Sequence, residues 1–464
     1  MHFNIGAFTL NQFVLLFAAA FLGLAFGKIK IGKFSFGLSG TLFSGLLLGW
    51  AAVAFARGIG EGDALYKTAQ KVVTGGIISK DFFDFFLILF ITAVGLLTGK
   101  DIARALKKYG LKFLIIGFVI TFTGVAATYG FIVSSDKYSA YQVSGIYTGA
   151  LTSSPGLAAS LETVKNQADS VEARYQQLSN EDKSKVLKMV DKSGALTPEN
   201  TPELSKEQID KFIKTAQSDV SLGHTLAFPF GLLTIILSVV FLPKLFRIDV
   251  DKEREEFAAG MQKESDAMKE AAVTNGKSEN VKEGKFNLIA FAFVCFLGYF
   301  LGSFKFSLGA GEFSLGTSGG VLVAALTCSH FGKIGPLNFR MDSKTLGVVR
   351  QIGLGFFLST VGLMYGYDAV SVFGGSGAAV AMMGLVVVVV SILMGFIVGR
   401  YVFKLNWMVL AGAICGGMTS TPGLGAATDA VGSDYPAIGY GATYPFALIY
   451  KVVLLMILHK LFII

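Results

Sequence analysis

The stretch "FLIIGFVITFTGVAATYGFIV" at Phe113–Val133 runs 21 residues without a charge. A helix of roughly 20 apolar residues covers the ~30 Å hydrocarbon core of a bilayer. "AAVAMMGLVVVVVSILMGFIVG" at Ala378–Gly399 is of the same kind, and "FVLLFAAAFLGLAFG" at Phe13–Gly27 is a shorter one. Lipid offers no hydrogen bonds to the backbone, so only helices or closed barrels can cross it. Unbroken apolar runs, without alternation, select helices. The expected fold is an all-α polytopic membrane protein. Charged residues make up 16%, against about 25% in a soluble chain. Many of the 56 glycines lie inside apolar runs, where they let helices approach closely. The net charge of +8 belongs in membrane-flanking loops and does not call for nucleic acid. The first apolar run follows no basic segment and precedes "KIKIGK", so it is expected to be a retained helix, not a cleaved signal. Three cysteines in apolar segments (Cys295, Cys328, Cys415) argue against a disulfide framework.

The chain repeats itself. "FLGLAFG" at Phe21 matches "FLGYFLG" at Phe296, and "FSFGLSG" at Phe34 matches "FSLGTSG" at Phe313. "FITAVGLLTGKD" at Phe90 matches "FLSTVGLMYGYD" at Phe357, and "TSSPGL" at Thr152 matches "TSTPGL" at Thr419. Last comes "SLGHTLAFPFG" at Ser221 against "AIGYGATYPFA" at Ala437. Five matches in one order indicate a duplication. Thr152 and Thr419 are 267 residues apart, but Ser221 and Ala437 only 216, so the first half carries about 50 extra residues. The expected organisation is a first membrane repeat over 1–164 and 220–246, a polar helical insertion over 165–219, a linker over 247–285 and a second repeat over 286–464. "KDIARALKKYGLK" after the third helix of the first half is basic. Its counterpart "YGYDAVSVFGGSG" has no Lys or Arg, while "HFGKIGPLNFRMDSK" in the second half is basic. Corresponding loops therefore prefer opposite faces, which implies inverted repeats. The chain must then change sides between Tyr138 and Lys244, so one segment has to turn back. Each half is expected to hold five full helices and one re-entrant hairpin at the TS(S/T)PGL motif. Both termini and the 165–219 insertion would be external and the linker cytoplasmic.

Ser or Thr before Pro is a helix start, with the hydroxyl at N-cap and Pro first in the helix. Ser154–Pro155 and Thr421–Pro422 are each expected to begin a short helix at mid-membrane. A helix N-terminus favours anions, and irregular backbone at that depth belongs beside a cavity or inside protein. Thr152, Ser153, Thr419 and Ser420 add hydroxyls, and Gly156 and Gly423 follow the prolines. A helix-capping motif in a packed core would look the same in one copy. Two copies at corresponding positions of inverted halves point instead to a transporter site.

The doubled motif, the "VGL" helices and "GYGATYPFALI" at Gly439 resemble the aspartate:alanine exchanger family of bacterial secondary transporters, across both membrane halves. The resemblance implies a homodimeric carrier of the bacterial inner membrane, surrounded by lipid. It would move small anionic substrates, carboxylates or amino acids, by exchange at the two hairpins. Elevator-like motion is also an expectation of the resemblance. The chain departs from the family in its short central linker, where regulatory domains are common, and in the external insertion. A Na⁺- or H⁺-coupled glutamate or dicarboxylate symporter is the alternative, followed by a channel or a membrane sensor.

Other residues have both functional and bland readings. Lys451 lies mid-helix in "YPFALIYKVVLLMIL", where the first half has Ile235. An intramembrane charge is a functional candidate, able to pair with substrate or with Asp429, although snorkelling would also accommodate it. Glu162 and Asp429 each lie seven residues after a motif proline and could couple a proton or cation, or simply end the hairpins. Asp101 and Asp368 are expected in loops. Ser359, Thr360 and Thr92 could line the cavity or bond between helices. Pro229 and Pro445 could kink helices beside the hairpins, with Tyr440, Thr443 and Tyr444 facing the site. His224 and His330 are expected to be structural, and Cys328-x-His330 is too small for a metal site. No phosphate loop, nucleophile elbow or paired-His motif occurs, so neither cofactor, metal nor enzymatic activity is expected.

Overall fold

A computed structural model describes residues 5–29, 37–134, 138–191, 193–274, 283–308, 311–371 and 377–462. In the first part, α1 (Ile5–Thr9), α2 (Gln12–Gly27), α3 (Gly40–Arg57) and α4 (Tyr66–Gly75) lead into a long α5 (Lys80–Ser134). Then come α6 (Ala140–Ala150), α7 (Ser154–Arg174), α8 (Asn180–Val190) and α9 (Lys206–Leu245). After α10 (Val250–Thr274), the remainder holds α11 (Leu288–Ser303), α12 (Gly316–Phe331), α13 (Ser343–Ser371) and α14 (Gly377–Ile397). It ends with α15 (Trp407–Met418), α16 (Thr421–Val431) and α17 (Pro436–Leu461).

Among the described residues, seven helical stretches are long and apolar enough to cross a membrane, and α2, α11 and α15 are shorter apolar helices. The protein is thus a helical, multi-pass membrane protein. Two antiparallel hairpins are added at the helix ends, β1 (Lys305–Leu308) with β2 (Gly311–Ser314) and β3 (Lys333–Ile334) with β4 (Leu337–Asn338).

The basic stretch expected as a loop after the third helix is helical, because α5 continues through it and carries two candidate spans, Lys80–Lys100 and Leu106–Ser134. Asp101 accordingly sits within α5 and Asp368 within α13, not in loops. The edges expected at 164/165 and 219/220 fall inside α7 and α9. Both helices run on past the apolar part and close a small core of their own. Val164, Ala168 and Val171 meet Val186 and Val190 of α8, and Ile209, Phe212 and Ala216 of α9. Amphipathic spacing on α8 supplies the third wall of that core.

The main core is laid out in pairs. α6 lies along α9 and α15 along α17, while α3 packs on α13 and α12 on α5. Glycine permits the first two approaches. A methyl added at Gly145 would run into the carbonyl oxygen of Val220, and one added at Gly412 into that of Pro436, both far inside contact distance. The outer faces remain apolar: Phe21 of α2 and Phe296 of α11, each opening a similar FLG stretch, are 72% and 70% exposed. Such faces suit lipid tails.

Candidate functional site

The two motif copies make the same turn. α6 ends at Ala150, and Thr152 stands at φ +49° before α7 begins at Ser154. α15 ends at Met418, and Thr419 stands at φ +56° before α16 begins at Thr421. A β-branched residue in the left-handed region costs on the order of 1–3 kcal/mol and persists only where its surroundings impose it. Its occurrence at both corresponding threonines marks a constrained pair of breaks.

Each helix start lies one residue earlier than the Ser/Thr–Pro rule places it. Ser153 is the N-cap of α7, its Oγ accepting from Gly156 N at 3.1 Å, and Ser420 caps α16, accepting from Gly423 N at 3.2 Å. Pro therefore takes the second helical position, where its missing N–H again costs no helix bond. The hydroxyl of Thr421, freed from capping, pairs with Tyr440 OH at 3.1 Å. The side chains of Ser154, Pro155 and Glu162 lie outside the described ones.

The two breaks, 267 residues apart, touch. Thr152 Oγ1 donates to Met418 O and Thr419 Oγ1 donates to Leu151 O, each at 3.4 Å. Between them stands Lys451 of α17, only 1% exposed. Its Nζ donates to Met418 O at 2.8 Å, Leu151 O at 3.2 Å and Thr419 Oγ1 at 2.8 Å. A buried ammonium is tolerable only when its three donors are satisfied, and here both breaks satisfy them. Lys451 does not pair with Asp429: Asp429 Oδ2 accepts from Leu38 N at 2.9 Å, just ahead of α3. Pro422 is buried behind its cap, and Gly423 is set against Ile235 of α9, whose Cγ1 would lie 2.9 Å from an added methyl.

The aromatic and hydroxyl candidates separate. Tyr440 reaches the motif, whereas Tyr444, stacked on it at 5.1 Å between ring centroids, turns its hydroxyl to Ser318 Oγ and Leu315 O at 3.1 and 3.2 Å. Thr443 Oγ1 is buried with no partner among the described residues. Ser359 and Thr360 bond to their own helix at Gly355 O and Phe357 O. Thr92 meets Cys295 at 3.4 Å. Pro229 and Pro445 lie inside α9 and α17 as expected. Among the described residues no group of three or more metal-ligating side chains occurs.

Sequence reasoning did not single out two further features. His459 of α17 is fully buried and meets Ser144 and Ser160 Oγ through Nε2, each at 3.1 Å, and Gln167 Oε1 through Nδ1 at 3.2 Å. It so joins α6 to α7. Its place in the apolar "LMILHKLF" was the available signal. On the other pair, Glu253 of α10 accepts from Trp407 N at 2.5 Å and pairs with Arg400 at 2.6 Å, while Arg254 donates to Val431 O at 2.9 Å. An acid thus sits at the start of α15 and a base at the end of α16, matching both helix dipoles. In "DKEREEF" nothing distinguishes these residues from any solvated linker charge.

Membrane-length helices packed around two buried polar breaks define an integral, multi-pass membrane protein. The family described as "Predicted Permease Membrane Region", that of the aspartate:alanine exchangers, matches residues 15–244 and 290–460. The chain belongs to this family and is a transporter. An uncharacterized transporter of Desulfotalea psychrophila is 25% identical over 97% of this chain and 98% of its own length. One from Bacteroides thetaiotaomicron is 41% identical over 32% of this chain, covering 28% of its own length. Another, from Bacteroides fragilis, is 36% identical over 40% of this chain and 35% of its own. The alignment with the Desulfotalea protein runs 563 positions against 464 residues here, so that relative carries segments this chain lacks.

Proposed function

We propose that the protein exchanges small carboxylates or amino acids across the bacterial inner membrane by alternating access, at a site formed by the two TS(S/T)PGL breaks. The observation that carries this reading is the grip of Lys451 on both breaks at once. A substrate carboxylate entering between them would take the place of the Met418 and Leu151 carbonyls as the partner of Nζ. It would also face the starts of α7 and α16, where the helix dipoles favour negative charge. Thr152, Thr419 and the Thr443 hydroxyl, which has no partner among the described residues, supply further donors, and Tyr440 holds Thr421 in place.

In this reading the duplication is a pair of inverted repeats, each with five crossing helices and one re-entrant hairpin, α6–α7 in one and α15–α16 in the other. The paired packing of α6 on α9 and α15 on α17 supports it. The repeats occupy 1–164 with 220–246 and 286–464. The insertion and both termini are external, the linker is cytoplasmic, and two copies form the carrier. Asp429, tied to Leu38, is assigned to holding α16 against α3 and not to ion coupling.

Reconstitution tests it. Labelled aspartate, glutamate and succinate are offered to empty, preloaded and Na⁺- or H⁺-gradient vesicles. Uptake only into preloaded vesicles, reduced on the order of 100-fold in a Lys451→Met variant, is the expected result. Gradient-driven uptake into empty vesicles would make the protein a symporter instead.

A further inference from the structure

The seam between α9 and α16 does not stop at the motif. Gly423 meets Ile235 at the break itself. One turn further, Ala426 and Ala430 of α16 face Val239, Val240 and Pro243 of α9 across a cavity of about 880 Å³. Residues 423, 426 and 430 share one helix face, as do 235, 239 and 243 on α9. The same two faces that close on the motif therefore part to form the cavity. Small side chains on α16 leave the room: Ala430 is exposed within it, whereas Ala426 at the narrow end is 1% exposed.

The outer part of the cavity is charged. Four basic and four acidic side chains line it, among them Arg247 and Asp429, and most come from the first residues after α9. Trp407 lines it too, and its buried indole N–H has no partner among the described residues. A lining with both signs in equal number does not repel either end of a zwitterion, whereas a single-sign lining would.

We infer that this cavity is the access vestibule through which a small solute bearing charges of both signs reaches the motif from the linker face, along the α9–α16 seam. The inference rests on the exchange reading of the motif and gives it a route. Ala430 stands in the path and Ile235 with Gly423 forms its inner end.

The test places Ala430→Cys, and separately Val240→Cys on the opposite wall, in a protein whose Cys295, Cys328 and Cys415 are replaced by serine. A negatively charged, membrane-impermeant methanethiosulfonate is applied to each face of proteoliposomes. The linker face is identified by protease cleavage within the linker. Modification from the linker face alone is expected, and it should abolish exchange. L-Aspartate at ten times its half-saturating concentration should slow modification about tenfold, the factor 1 + [L]/Kd for a site it occupies. Labelling only from the opposite face, or exchange that survives full labelling at both positions, overturns the vestibule. If no acid is exchanged by the unsubstituted protein while aspartate still protects the Ala430→Cys variant from labelling at the linker face, the exchange reading falls and the vestibule stands.

Discussion

The two helix breaks are nearly identical in sequence and in backbone, yet they are held differently. Both use a serine cap, a proline two residues on and a left-handed threonine. At the tip, however, α17 contributes Lys451, whereas the corresponding place on α9 is Ile235. At the far ends the holding groups differ again. α6 and α7 are joined by His459 with Ser144, Ser160 and Gln167 through side-chain hydrogen bonds alone. α15 and α16 are held by the ions Glu253 and Arg254 of α10. The matched motifs thus fix where the breaks lie, while residues outside them hold each break by different chemistry. One lysine between two matched elements contacts both of them. The second break is thus tied to α10 by charged side chains, and the first is not.

Four experiments would break or sharpen this comparison. The largest effect is expected for Gly145→Ala and Gly412→Ala, because either methyl would collide with a backbone carbonyl that cannot yield. Both should remove monodisperse protein from size-exclusion profiles. Recovery of one variant alone would show that the two helix pairs are not packed equivalently. Next is Lys451→Met, which keeps the volume and strands the Met418 and Leu151 carbonyls. With charge-assisted bonds contributing about 1.5–3 kcal/mol each, uptake should fall on the order of 100-fold. Near-normal uptake would remove Lys451 from the site.

The threonines separate the two breaks more finely. Thr419 accepts from Lys451, whereas Thr152 bonds to Met418 O. Thr419→Ala should therefore reduce exchange about tenfold more than Thr152→Ala, equivalent to about 1.4 kcal/mol for one lost hydrogen bond. Equal losses would mean that the asymmetry of Lys451 has no consequence. The smallest effects belong to the caps: Ser153→Ala and Ser420→Ala should each destabilise by about 1 kcal/mol, read as matching shifts in thermal unfolding. A mismatch would show that one cap is strained by its surroundings.

Much of this was legible beforehand in specific residues. The apolar runs from Phe113 and Ala378 stated the fold class, and the repeated TS(S/T)PGL letters located both breaks. Lys451 stood out because a charge in an apolar helix is costly enough to need a reason. The cap position was misplaced by one residue. Ser–Ser–Pro and Ser–Thr–Pro each offer two adequate capping hydroxyls, and local rules do not choose between them; the left-handed turn at Thr152 and Thr419 does. The helical path through "KDIARALKKYG" was hidden because its charges look like a loop although its residues are good helix formers.

The sequence by itself determined that this chain spans a membrane many times and breaks two helices at matched polar motifs, since burial of backbone in lipid and capping chemistry act over neighbouring residues. Only the tertiary structure decided that the two breaks touch and that Lys451 bridges them while Asp429 turns away to Leu38. It alone placed Tyr440, and not Tyr444, at the motif. Those outcomes depend on how helices hundreds of residues apart pack, and side-chain partners across such contacts leave no local trace in the order of letters.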